Sequence, residues 1–127
     1  MRFDEFFEVC LEISTNIYIP NGRVLPQIMV MDENGRMSTL IIPDRNMVYR
    51  AIFNVLETNW KYMGLFHTVT LNNISVLIVE CTSILGDYRC KCMVLVDPDE
   101  KILSELDPKL FEGVLYIRNT VLTKESS

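Results

Sequence analysis

Acidic and apolar positions segregate on a helical period over residues 3 to 14. Asp4, Glu5, Glu8 and Glu12 fall within an arc of about 100° at 3.6 residues per turn. Phe3, Phe6, Phe7, Val9, Cys10, Leu11 and Ile13 fill the rest of the circumference. This predicts an amphipathic helix whose early acids suit the positive end of the helix dipole. Pro20-Asn21-Gly22 reads as a turn. Two strands follow, Gln27 to Met31 and Arg36 to Ile42, around Asp32-Glu33-Asn34-Gly35, whose Asn-Gly pair can supply the positive φ angles of a tight hairpin. Asp44 is a good N-cap. From there to about Thr58, Met47, Val48, Ala51, Ile52, Val55 and Leu56 recur as a buried helical stripe, with Arg45, Arg50, Asn54 and Glu57 on the wet side.

The remainder reads as antiparallel sheet. Leu65 to Leu71 and Ile74 to Thr82 are rich in Val, Ile and Thr and flank Asn72-Asn73. Trp60 and Tyr62 precede them, in the exit from the second helix, as lids over the core. Arg89 to Val96 is the next strand, and Asp97-Pro98-Asp99-Glu100 the next turn. Ser104 to Gly113 contains Pro108 and includes a short helix, while Val114 to Leu122 alternates weakly, as a final strand would. The expected fold is α+β: a single antiparallel sheet of about five strands with two main helices packed on one face. The element order is α-β-β-α-β-β-β, then the short helix and the final strand. Residues 1–122 are expected to form one domain and residues 123–127 a flexible polar tail. This order is similar to that of roadblock and profilin-like interaction domains; the likeness lies in element order, and no motif residues carry it.

Composition narrows the classes. Apolar residues make up 49% and charged residues 23% of 127 residues, which excludes wholesale disorder. Acids outnumber Lys plus Arg by 17 to 12, for a formal charge of -5. Proteins that wrap nucleic acid have the opposite balance, so a local patch of Arg36, Arg45 and Arg50 is the sole opening for such a role. No apolar run approaches the ~20 residues of a membrane span, and Met1-Arg2-Phe3-Asp4-Glu5 carries no signal-peptide core. The expected location is the cytoplasm, or the host cytoplasm for a viral gene, with thiols reduced.

Motifs for common chemistries are missing. There is no Walker-A sequence, G-x-G-x-x-G or G-x-S-x-G. A lone histidine, His67, excludes H-E-x-x-H zinc chemistry. Register offers more. A two-residue turn at Asn72-Asn73 pairs Leu71 with Ile74, His67 with Ile78 and Leu65 with Glu80. One register across the next loop, Ser83 to Tyr88, sets Cys81 opposite Cys90 and Glu80 opposite Lys91. His67, Glu80 and Lys91 then cluster at one end of an apolar face, read either as a structural cross-strand Glu80–Lys91 pair with His67 beside it or as a small polar site with Glu80 as proton acceptor and Lys91 as anion contact. Cys81, Cys90 and Cys92 share the other face as small buried hydrophobes lacking a fourth metal ligand. A two-residue shift pairs Glu80 with Arg89 instead, and a one-residue slip destroys the cluster.

The expectation for function is a non-catalytic interaction module, binding a protein partner or a second copy of itself, with no cofactor or metal. The alternative is a small enzyme or ligand-binding domain using His67, Glu80 and Lys91.

Overall fold

A computed structural model describes residues 1–122. It contains α1 (Phe3–Asn21), β1 (Gln27–Asp32), β2 (Met37–Ile41), α2 (Val48–Leu56), β3 (Trp60–Leu71), β4 (Ile74–Ser83), β5 (Tyr88–Asp97) and β6 (Ile102–Leu106). The strands form one six-stranded antiparallel sheet in the order β2-β1-β3-β4-β5-β6. The α+β class read from the sequence is the observed one.

Helix α1 outruns its expected end at residue 14. Pro20 lies in its last turn and Gly22 (φ 68°) caps it, donating N–H to the Tyr18 carbonyl at 2.6 Å. Proline forfeits one intrahelical bond, which is cheap at an exposed helix end, and glycine accepts the left-handed cap. The acids Asp4, Glu5, Glu8 and Glu12 face solvent, while Phe6, Phe7, Cys10 and Leu11 are buried.

The two helices cover opposite faces of the sheet, which corrects the expectation that they share one. Both faces of the β3–β4 hairpin are apolar, so each needs a cover. Phe66, Leu77 and Val79 pack with Phe6, Phe7 and Cys10 of α1. Leu65 packs on the other face with Val48, Ala51 and Ile52 of α2 and with Ile117. Beside it, Val76 and Ile78 pack with Phe111 and Leu115. Helix α1 comes so close that a Cβ on Gly64 would lie 2.7 Å from Cys10 Sγ and 3.0 Å from Cys81 Sγ.

Turn chemistry sets the registers. Asn72 (φ 51°) and Asn73 (φ 66°) form the two-residue turn, and the expected pairs Leu71–Ile74, His67–Ile78 and Leu65–Glu80 all occur. Strand β3 begins at Trp60, five residues earlier than expected, because β1 supplies a second neighbour there. The β4–β5 register is the one-residue slip. Glu80 pairs with Cys90, Cys81 with Arg89 and Val79 with Lys91. The cause is the loop: Ser83 N–H bonds the Asp87 carbonyl, Gly86 N–H bonds the Ser83 carbonyl, and Gly86 has φ 94°. This three-residue hairpin loop with a glycine bulge fixes Ser83 opposite Asp87.

The C-terminal part differs from expectation twice. Residues 102–106 form a sixth strand against β5, after a turn in which Lys101 takes φ 56°. Residues 114–122 form no strand. A 3₁₀ segment, Pro108–Val114, stands for the expected short helix, and a π-helical turn, Arg118–Leu122, closes the described chain. The expected flexible tail, residues 123–127, lies outside the described residues.

Ile52 is fully buried between α2 and the sheet. Ile52→Ala should cost about 2–5 kcal/mol in urea unfolding; an unchanged midpoint would mean that α2 does not hold this face.

Candidate functional site

Strands β3 and β4 bring His67 and Glu80 to the α2 face, and both are 0% exposed. Lys91 does not join them. The slip that inverts β5 turns Lys91 to the α1 face, where it meets Glu105 at 2.9 Å. The expected Glu80–Lys91 contact is thereby overturned. The same inversion separates the thiols: Cys90 and Cys92 stand opposite Glu80 and Ile78 on the α2 face, and Cys81 lies against α1. Burial pushes the Cys81 thiol pKa well above its ordinary value, so it stays protonated. No group of His, Cys, Asp and Glu suited to a metal exists among the described residues.

Glu80 is held by donors from β5 and from the C-terminal turn. Tyr88 donates its hydroxyl to Oε2 at 2.7 Å, Arg118 N–H donates to Oε2 at 3.0 Å, and Ile117 N–H donates to Oε1 at 3.2 Å. Burial raises the Glu80 pKa, and these donors oppose the rise by favouring the charged form. The arrangement explains why residues 114–122 are not a strand: two successive backbone donors go to a carboxylate rather than to a ladder.

His67 holds an arginine that the helical pattern had placed on the wet side. Arg45 precedes α2, in a 3₁₀ turn capped by Asp44, so it does not follow the α2 stripe. Its Nη1 donates to His67 Nδ1 at 2.8 Å and to the Tyr116 hydroxyl at 3.4 Å. Its Nη2 donates to the Thr68 carbonyl at 2.8 Å. A guanidinium only donates, so His67 Nδ1 accepts and the ring proton sits on Nε2. That buried nitrogen makes no hydrogen bond of good geometry among the described residues. Burial, reinforced by the Arg45 charge, holds the His67 pKa down at about 3, with a smaller opposing effect from the Val114 backbone.

Buried from solvent, His67 and Glu80 anchor neighbouring segments. Among the described residues, two surface recesses exceed about 500 Å³. One is an apolar groove of about 560 Å³ between β2 and α2, with Leu40, Ile41, Met47 and Val55 in its walls. The other is a polar notch of about 670 Å³ between residues 22–26, Pro43 and Arg45, and the end of β3. None of His67, Glu80 and Lys91 lines either recess. Sequence reasoning missed Arg45, Tyr88 and Tyr116. The slip itself had a signal: Gly86 follows Ser83 as Gly35 follows Asp32, and both loops close with the same pair of backbone bonds. No protein family, curated protein or solved structure matches the chain.

His67 carries a pH prediction with a definite sign. Its pKa falls from 6.5 to about 3 on folding. Its contribution to stability is complete above 6.5 and is lost as pH falls toward 3, because the unfolded state takes up the proton first. The unfolding free energy of the wild type, measured relative to His67→Gln, should fall by about 1.4 kcal/mol per pH unit within that window. A difference independent of pH would show that His67 is not buried in its neutral form.

Proposed function

We propose that this domain is a protein-interaction module that associates with a second copy of itself through the edge of β2. The observation that carries the reading is the state of that edge. All five residues of β2 are exposed, and Met37, Leu40 and Ile41 are 39–55% exposed. None of the five is charged. Unpaired edges are usually protected by charge, proline or a bulge.

The backbone supports pairing. Ile42 N–H bonds the Pro26 carbonyl and Asp32 N–H bonds the Arg36 carbonyl. Alternation between these points leaves the amides of Met37, Thr39 and Ile41 directed away from β1. An antiparallel twofold pairing centred on Thr39 sets Met37 against the other copy's Ile41 and Ser38 against its Leu40. Every such pair is uncharged. The exposed acids of α1 lie on the opposite side of the sheet from the groove, whose charged lining residues are Asp44 and Arg50, of opposite sign. Two copies of an acidic chain repel least through a neutral patch. Twofold pairing also brings the two α2 grooves to the same side of a continuous sheet, where exposed Leu40 and Met47 line each groove.

Sedimentation velocity over a concentration series tests the reading. The wild type should form a dimer, and Thr39→Lys should shift it to monomer by placing two like charges beside the twofold axis. Thr39→Pro should do the same by removing an outward donor that the β1 ladder does not use. Both variants should keep the wild-type far-ultraviolet circular dichroism. A wild type that stays monomeric to about 1 mM, where only a binding energy weaker than about 4 kcal/mol would escape detection, would refute self-association. So would a dimer indifferent to both substitutions.

A further inference from the structure

We propose that the notch at the open end of β3 is a binding site for a phosphate monoester carried on a small molecule. Strand β1 stops pairing with β3 at Gln27–Phe66, so the outer edge of β3 is uncovered beyond that point. Thr68 is the next outward residue, and both of its backbone groups are taken: its N–H bonds the Val24 carbonyl at 3.1 Å, and its carbonyl accepts from Arg45. Thr70 follows with the same orientation, because the two-residue turn makes Leu71 and Val69 bond inward to β4. Its N–H therefore faces the notch. The hydroxyl-bearing residues Thr70 and Ser75 line the wall beside it.

The charge of the notch is one-sided. Among the described residues, Arg23 and Arg45 are its only charged lining residues, in a chain of formal charge -5. Neither arginine has a carboxylate partner among the described residues. Arg45 is half-buried and held in place by three neutral acceptors, His67, Tyr116 and the Thr68 carbonyl. A desolvated guanidinium without a counter-charge is costly unless an anion joins it. Its orientation is set in advance, and among the described residues its Nε hydrogen and one Nη2 hydrogen are uncommitted. Two guanidinium forks, hydroxyls and a backbone N–H together suit the several acceptor oxygens of a dianionic phosphate better than the two of a carboxylate. About 670 Å³ accommodates a small-molecule ester. The formal charge of -5 on the chain disfavours a polyanion such as nucleic acid. His67, through its bond to Arg45, acts as a positioning residue.

The test is a nuclear magnetic resonance titration of the full chain at constant ionic strength, with inorganic phosphate, phenyl phosphate and benzoate as probes. Phosphate and phenyl phosphate should produce saturable shifts at the Thr70 amide and at Arg45 Nε, with benzoate much weaker. Arg23→Gln, an exposed change, should weaken binding about tenfold or more. Arg45→Lys, which keeps the charge and removes the fork, should weaken it further. The expected loss on Arg23→Gln stands even if the Arg45 variant does not fold. Absence of saturable shifts, benzoate bound as tightly as phenyl phosphate, or affinity unchanged in Arg23→Gln would each overturn the site.

Discussion

Buried Glu80 is the point on which one side of the molecule depends. A carboxylate with no exposure is expensive, and the cost is offset only while its oxygens are fully hydrogen-bonded. Tyr88, Ile117 and Arg118 supply those bonds. They tie β5 and the C-terminal turn to the centre of β4. Ile117, Leu115 and Phe111 then cover the part of the sheet that α2 does not reach. Without this anchor the apolar face of Val76 and Ile78 would lie open.

The other side needs no such device. Helix α1 reaches the sheet by close packing over Gly64, where its Cys10 meets the strands without space for another methyl group. Arg89 reaches back to it, stacking its guanidinium 4.3 Å from the Phe7 ring centre and approaching Asp4 at 3.5 Å. These contacts exist only because Arg89 lies on the α1 face, a consequence of the same glycine-bulged loop that moves Lys91 away from Glu80.

What the sequence made legible follows the range of the interactions. The α1 acids, the Val48, Ala51 and Ile52 core of the α2 stripe and the Asn72-Asn73 hairpin are local and readable from periodicity or turn chemistry, whereas Met47, expected in the same stripe, precedes the helix and is exposed. The β4–β5 register was also local, but it lay in Gly86, whose loop type had to be recognised before any pairing could be drawn. The candidate site fared worse. His67 and Glu80 were placed on one face correctly, yet their partners are distant in sequence: Arg45 lies 22 residues from His67, and Ile117 lies 37 from Glu80. No period or spacing encodes such contacts. The reading of Val114 to Leu122 as a strand failed for the same reason, since a carboxylate from β4 takes its backbone donors.

The account of function rests on an uncharged edge strand beside an apolar groove, with the acidic surface placed elsewhere. Its central claim is that the outward amides of β2 are bonded between copies. Amide hydrogen exchange at Met37, Thr39 and Ile41, followed as protein concentration rises, tests this directly. Exchange at these three positions should slow as dimer forms, while inward amides such as Leu40 stay equally protected. Exchange of Met37, Thr39 and Ile41 at one rate across all concentrations would contradict the account.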